Sequence, residues 1–195
     1  MLSYKKPSVE KYLEPFVGLF KNVNPNVLTL LGSIPSLLFF VFLIMHWYFL
    51  AIIAFAGSIF DLIDGMIARK YNKVTAFGGF LDSTLDRVSD FFIITAFAFS
   101  GIVRWEIAAP LLLFSFLISY TRSRGELANS SVSFAVGLIE RTERLILTIT
   151  ALVLYMLFPN VILWGLNIAE ITFVILVVLS FYTFIQRVLH AYRKL

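Results

Sequence analysis

The acidic residues that could do chemistry in this sequence are concentrated in one stretch. Five of the twelve Asp and Glu residues lie between positions 61 and 90, namely Asp61, Asp64, Asp82, Asp86 and Asp90. Residues three or four apart share one face of a helix, so the first two form one acidic face and the last three form another. Carboxylate oxygens are hard ligands that suit Mg²⁺, Mn²⁺ or Ca²⁺. Four carboxylates from two helices can bridge two such ions about 4 Å apart.

The small and basic residues beside the aspartates indicate what the metal ions would face. Gly65 follows Asp64, and Gly78 lies four residues before Asp82. Both glycines leave the backbone open to a bulky ligand. Ala68 continues this small surface, and the adjacent Arg69 offers a planar fork of donors that suits a phosphate. The combination predicts a pyrophosphate site rather than a bare ion site.

The composition predicts that these residues are positioned by membrane helices. Hydrophobic residues make up 59% of the 195 residues and charged residues 14%, against about 25% charged in a soluble domain. A spanning helix needs about 20 mostly apolar residues. Six segments qualify: 27–45, 48–69, 79–102, 105–122, 135–158 and 167–188. We therefore expect an all-α fold, a single membrane domain over residues 1–195 with six transmembrane helices.

The polar segments add an interfacial helix and an orientation. Residues 8–21 alternate charge with bulky apolar side chains, which is typical of an amphipathic helix on a membrane surface. With a cytoplasmic N-terminus, every Lys and Arg except Arg104 falls on the cytoplasmic side. The sequence thus predicts a multi-pass protein of the cell membrane, with both termini and the acidic site on the cytoplasmic side.

Other interpretations of the aspartates predict different surroundings. A charged side chain inside a bilayer costs ~2.5–3.5 kcal/mol or more, so several together require neutralising cations. Structural ion pairs with Arg69, Arg87 and the lysines would leave much of that charge uncompensated. A divalent-cation transporter would place its site near the bilayer midplane, whereas these acids lie at the cytoplasmic ends of spans two and three. A non-catalytic scaffold explains none of the spacing.

The spacing of these residues resembles a known family. The pattern Asp61-x-x-Asp64-Gly65-x-x-Ala68-Arg69, eight further residues, then Gly78-x-x-x-Asp82-x-x-x-Asp86 resembles the signature of the CDP-alcohol phosphotransferases. Asn24-Pro25-Asn26-x-x-Thr29 resembles the family's entry to its first span, and the likeness covers nearly the whole chain. It implies transfer of a phosphatidyl-type group from a CDP-linked lipid to an alcohol, with release of CMP.

The resemblance also assigns roles to residues. It implies two divalent ions, usually Mg²⁺, on Asp61, Asp64, Asp82 and Asp86. Asp86 would in addition deprotonate the incoming hydroxyl. The CDP moiety would be held by Gly65, Ala68, Arg69 and Gly78, with Thr75 as a further candidate for a phosphate contact. We expect Mn²⁺ to replace Mg²⁺, a homodimer and no nucleic-acid partner. For Asp90 a structural hydrogen-bond role and a role beside the metals both stay open.

A second polar region bears on the acceptor. Arginines stand at the predicted cytoplasmic ends of spans four, five and six: Arg122, Arg141, Arg144 and Arg187. An uncharged acceptor such as serine or inositol would not need several arginines, whereas an acceptor with its own phosphate would. The alternative is that some of these residues only anchor helix ends at anionic lipids, which is the role we expect for Arg124 and Arg193.

These arginine segments resemble the inositol-phosphate branch of the family, the phosphatidylinositol-phosphate and archaetidylinositol-phosphate synthases. In that branch, basic residues at the positions of Arg122, Arg141 and Arg187 bind the acceptor phosphate. Arg122 stands where a lysine is more usual, which keeps the charge but changes the hydrogen-bond geometry. Glycerol phosphate as the acceptor is the alternative within the family. The sequence leaves open whether the lipid carries diacylglycerol or archaeol.

Overall fold

The part of the chain that the structure describes is predominantly helical. The computed structural model describes residues 25–57, 70 and 75–195. Within these ranges the helices are α1 (Pro25–Ile44), α2 (Tyr48–Ala56), α3 (Ala76–Phe99), α4 (Trp105–Ala128), α5 (Arg141–Leu157) and α6 (Ile168–Lys194). The predicted interfacial helix over 8–21 and the second half of predicted span two lie outside the described residues.

The chain divides into two compact units, residues 1–93 and residues 94–195. In the first unit α1 packs against α2. Phe39 is fully buried, and its ring meets Phe55 edge-on with centroids 5.8 Å apart. Phe40 meets Phe92 of α3 in the same way at 5.5 Å. These aromatic contacts fix α1 against its neighbours.

The second unit is organised around α6, which packs against both α4 and α5. One face of α6 is buried along its whole length at helical spacing, through Ala169, Phe173, Leu176, Ser180, Thr183 and Arg187. Phe173 contacts the ring of Phe97 at 4.7 Å, and Phe181 contacts Phe114 of α4 at 5.2 Å. The buried face changes from apolar to polar toward its C-terminal end, which is where the candidate acceptor residues lie.

Side-chain caps set where α5 and α6 begin. Glu140 and Glu143 form a capping box at the start of α5, and Asn167 and Glu170 form one at the start of α6. Each box satisfies backbone N–H groups that the helix itself leaves open. Predicted span five was therefore wrong at its start, since α5 begins at Arg141 rather than at 135. The residues before it form the 129–140 loop, an irregular connection between α4 and α5.

A short hairpin is the one described element that the all-α prediction did not contain. Strand β1 (Ile162–Leu163) pairs antiparallel with β2 (Leu166–Asn167). Trp164 and Gly165 form the turn with φ of 53° and 74°. Positive φ at both central residues gives the twist that a two-residue hairpin needs. The predominantly helical fold is nevertheless confirmed.

Two of the described helices carry extensive exposed apolar surface. Among the described residues, Asn26–Ile44 and Ile168–Lys194 are long and apolar enough to cross a bilayer, by length and composition. Large apolar side chains face outward on both, as at Leu31 and Val178, which are 52% and 59% exposed. Such surfaces suit lipid contact. The count of six transmembrane helices stays a prediction.

Candidate functional site

The described aspartates lie on one face of α3. Asp82, Asp86 and Asp90 follow one another at intervals of four residues, about 6 Å along the helix axis. Their burial increases along the helix, because Asp82 is exposed, Asp86 is half-buried and Asp90 is only 3% exposed. The expected acidic face is therefore present, with its two predicted metal ligands at the accessible end.

Arg87 contacts this acidic face. Nη1 of Arg87 lies 3.4 Å from Oδ2 of Asp86 and donates to the backbone carbonyl of Ser83 at 2.8 Å. The ion pair is long and both side chains are partly exposed to solvent. Such a pair between partly exposed side chains contributes little to stability.

The described donors fit a divalent metal as half of a ligand set. Asp82 and Asp86 offer only oxygen, one helical turn apart, which suits a hard cation. The other two predicted ligands, Asp61 and Asp64, lie outside the described residues, as do Gly65, Ala68 and Arg69. Over residues 25–57, 70 and 75–195, no three His, Asp or Glu side chains are grouped as a metal site.

The start of α3 is built by Thr75 and Gly78. The Thr75 hydroxyl accepts a hydrogen bond from the backbone N–H of Gly78 at 2.9 Å, which caps the helix. A Cβ at Gly78 would stand 3.1 Å from Oδ1 of Asn26 and 3.1 Å from Oγ1 of Thr75. Gly78 therefore lets the start of α1 approach the start of α3. Asn26 was not among the predicted site residues, although Asn24-Pro25-Asn26 marked this point as the entry to a helix.

Two other predicted acceptor arginines, Arg122 and Arg144, lie close enough to Arg187 to act on its charge. The Arg187 side chain is 4% exposed. Its Nε donates to the carbonyl oxygen of Val136 at 2.8 Å, and its Nη1 donates to the carbonyl of Ile118. The guanidinium is thereby fixed between α4 and the 129–140 loop. In the part of the chain that the structure describes, two of its five N–H donors have protein acceptors.

The other charges around Arg187 come from α4 and from the start of α5. Arg122 and Arg144 act on it as like charges, and Glu126 and Glu140 as opposite charges. We call these five residues the arginine cluster. Arg144 is 5% exposed, so two buried guanidinium groups repel each other here. A bound anion would relieve that repulsion, because opposite charges interact strongly where water is scarce.

The carboxylates of the arginine cluster were missed by the sequence analysis. Nε of Arg122 donates to Oε1 of Glu126 at 2.9 Å, one helical turn away. Glu140 is the N-cap of α5, directly before Arg141, the first residue of that helix. The four-residue spacing of Arg122 and Glu126 was the available signal. The structure brings Arg122, Arg144 and Arg187 together, and Arg141 directly follows Glu140 of the cluster.

The comparison with known proteins now decides the family. The family model of CDP-alcohol phosphatidyltransferases matches residues 22–184, which include the aspartates and most of the arginine cluster. The chain belongs to the CDP-alcohol phosphatidyltransferase family. This confirms the resemblance in the sequence, and it makes the chain a membrane-associated transferase of phospholipid biosynthesis. The cation-transporter interpretation is set aside on this ground.

Individual relatives agree with the family assignment. The chain is 37% identical over 198 residues to the archaetidylinositol phosphate synthase of Pyrococcus horikoshii, with 100% of this chain and 98% of that protein covered. The fold is similar to that of Mycobacterium tuberculosis phosphatidylinositol phosphate synthase solved with CDP-diacylglycerol, at TM-score 0.78 and 26% identity, covering 91% and 92% of the two chains. The same enzyme with manganese and citrate gives TM-score 0.78 and 28% identity, covering 92% and 88%.

Proposed function

We propose that this phosphatidyltransferase transfers the phosphatidyl-type group of a CDP-lipid to a hydroxyl of inositol phosphate and releases CMP. The observation that carries the acceptor is the arginine cluster. Arg187 and Arg144 are only 4% and 5% exposed, and their positive charges repel each other. The cluster is therefore suited to bind the phosphate of an anionic acceptor. The names of the relatives, which are inositol phosphate synthases, support inositol as the polyol.

The reaction assigns a proton acceptor to the acidic face. The hydroxyl oxygen of the acceptor attacks the lipid-side phosphorus of the CDP-lipid, and the bond from that phosphorus to the bridging oxygen of CMP breaks. Asp86 takes the hydroxyl proton as the new bond forms. When bound, divalent ions would draw charge from the pyrophosphate and make CMP a better leaving group. We propose two ions, Mg²⁺ in the cell, held by Asp61, Asp64, Asp82 and Asp86.

The donor site is proposed at the small residues beside the aspartates. Gly78 leaves space at the start of α3, where a Cβ would crowd Asn26. The Thr75 hydroxyl accepts the Gly78 N–H and keeps its own hydrogen for a phosphate oxygen. Gly65, Ala68 and Arg69 complete the proposed contacts to CDP. The structure of the mycobacterial enzyme with CDP-diacylglycerol supports a CDP-lipid as the donor, and its structure with manganese supports a divalent ion in the site.

The proposed topology has six spans, with both termini and the active site in the cytoplasm, and the proposed assembly is a homodimer. The topology can be tested cleanly because the chain contains no cysteine. Ser130→Cys places a thiol at an exposed position of the 129–140 loop, and Asn160→Cys places one at an exposed position of the connection after α5. A membrane-impermeant maleimide added to intact cells should label only the Asn160→Cys protein. Labelling of Ser130→Cys instead would contradict the proposed orientation.

The acceptor is tested by measuring CMP release from purified protein with a divalent ion. CDP-diacylglycerol and CDP-archaeol are each supplied with inositol phosphate, glycerol phosphate, inositol or serine. We expect release with inositol phosphate to exceed release with glycerol phosphate, and the uncharged acceptors to support little. A preference for glycerol phosphate would reassign the polyol and keep the arginine cluster as a phosphate site. A preference for free inositol or serine would remove the phosphate argument.

A further inference from the structure

The 129–140 loop is held on α6 by two residues one helical turn apart. The backbone N–H of Ile139 donates to Oγ1 of Thr183 at 3.1 Å, in a fully buried position. Nε of Arg187 donates to the carbonyl oxygen of Val136 at 2.8 Å. Thr183 and Arg187 share the buried face of α6. A backbone N–H and a backbone carbonyl of the same loop are thus satisfied by neighbouring side chains of one helix.

Close packing reinforces these two hydrogen bonds. Gly137 has φ of 144°, and a Cβ there would overlap Cγ2 of Thr183. The residue must be glycine both for its backbone conformation and for this approach. Phe134 is 1% exposed, fills the space above Gly125 of α4, and meets the ring of His190 edge-on at 5.4 Å. The loop is therefore fixed at four points along α4 and α6.

The fixed loop leads directly into the arginine cluster. Ile139 is followed by Glu140, the N-cap of α5 and a member of the cluster, and then by Arg141. Arg144 follows one turn later, with its backbone N–H bonded to the carbonyl of Glu140 at 3.1 Å. The position of the start of α5 relative to Arg187 thus depends on how the loop is seated. Thr183 holds the residue next to Glu140.

We propose that Thr183 is a positioning residue for the phosphorylated acceptor, acting through the 129–140 loop on the arginine cluster. It does not touch the acceptor. Its hydroxyl holds Ile139 and its methyl group holds Gly137, so that Arg144, Arg187 and Glu140 keep one spacing. The inference rests on the proposed use of an acceptor phosphate. It adds Thr183 to the residues on which the acceptor site depends.

The test is a matched set of substitutions in α6. Thr183→Val keeps the shape and removes the hydroxyl, which leaves a buried N–H without its acceptor. We expect the KM for inositol phosphate to rise about tenfold, with the CDP-lipid KM within twofold of wild type. Thr183→Ser keeps the hydroxyl and should restore most of the acceptor affinity. Thr172→Val, which removes a hydroxyl bonded only to the Ile168 carbonyl of its own helix, is the control and should leave both KM values unchanged.

Three results would overturn the proposal: an unchanged acceptor KM in Thr183→Val, equal rises in both KM values, or a Ser variant as impaired as the Val variant. If Thr183→Val does not fold, Thr183→Cys is compared with Thr183→Ser. Both lack the methyl group and differ in acceptor strength, so the acceptor KM must be higher for Cys. Wild-type protein is assayed first with inositol phosphate and glycerol phosphate. If the wild-type protein is active with glycerol phosphate alone, the acceptor is reassigned, and the Thr183 variants are then compared with glycerol phosphate as the acceptor.

Discussion

Nε of Arg104 donates to Oε1 of Glu170 at 2.7 Å, joining the connection before α4 to the first turn of α6. Arg104 is the one basic residue that the sequence places on the non-cytoplasmic side. Its partner is 7% exposed and also belongs to the capping box with Asn167. A structural ion pair therefore accounts for the single exception to the charge bias, without weakening the orientation that the other basic residues predict.

We predict that Arg104→Gln lowers stability and leaves catalysis intact. The substitution leaves Glu170 buried with its charge poorly compensated, while the exposure of Arg104 moderates the loss. The expected loss is about 1–2 kcal/mol, which corresponds to a fall in Tm of roughly 3–6 °C. Thermal unfolding in detergent measures it, with the exposed Arg124→Gln as the control. Equal Tm values for the two variants would show that the pair contributes nothing.

The 129–140 loop shows why the sequence predicted the elements better than their ends. Residues 134–139 are all apolar or glycine, so hydropathy placed the start of a membrane span at 135, directly after Phe134. Phe134 and Ile139 are buried against protein instead, at 1% and 3% exposure. Hydropathy cannot tell whether an apolar side chain faces lipid or is buried against protein, because both surroundings are apolar. Glu140 and Glu143, three residues apart, were the available signal for the true start of α5.

The candidate site was predictable where the chemistry is local. The four-residue spacing of Asp82, Asp86 and Asp90 predicted one helix face, and α3 confirms it. Arg187 was predicted as an acceptor residue, but the contacts that hold its side chain were not predictable. Its partners Val136 and Ile118 are backbone carbonyls 51 and 69 residues away in sequence. Any residue presents a backbone carbonyl, so the sequence carries no mark of such a contact.

We predict that CMP release requires a divalent ion and that Mn²⁺ can replace Mg²⁺. The predicted ligands offer only oxygen, and both ions accept such a set. Exhaustive chelation should abolish turnover, and either ion should restore it. Asp61→Asn should raise the ion concentration needed for half-maximal rate, because an amide is a weaker ligand than a carboxylate. Full activity after chelation would remove the metal from the mechanism.

We predict that Asp86→Asn abolishes turnover far more than it weakens CDP-lipid binding. The amide keeps the volume of the side chain and cannot accept the proton of the acceptor hydroxyl. A general base contributes about 10²–10⁴-fold in rate, so kcat should fall by at least about 100-fold. The rate of CMP release at saturating substrates measures kcat, and titration with CDP-lipid measures donor binding. The control is Glu106→Gln, the same chemical change at an exposed residue of α4, and near-normal turnover in Asp86→Asn would reassign the base.

We predict that Arg122→Ala and Arg141→Ala each raise the acceptor KM by roughly 10–100-fold. A charge-assisted hydrogen bond to a phosphate is worth ~1.5–3 kcal/mol, and each ~1.4 kcal/mol is tenfold in affinity. The CDP-lipid KM should stay near wild type, because other residues bind the donor in the proposed mechanism. Arg124→Ala, at an exposed position of the same helix as Arg122, should change neither value. If both KM values move together, these arginines only anchor helix ends.

The last prediction separates two lysine substitutions within the arginine cluster. Arg122 is exposed on α4 with Glu126 as its partner, and Lys at this position keeps the charge, so Arg122→Lys should behave nearly as wild type. Arg187→Lys also keeps the charge, but one ammonium does not reproduce the planar fork that reaches the carbonyls of Val136 and Ile118. Its Tm should therefore fall and its acceptor KM should rise about tenfold or more. Thermal unfolding and acceptor kinetics are measured on both variants. A raised acceptor KM at wild-type Tm in Arg187→Lys would mean that the Arg187 side chain serves the phosphate alone. An unchanged Tm together with an unchanged acceptor KM would remove Arg187 from the site.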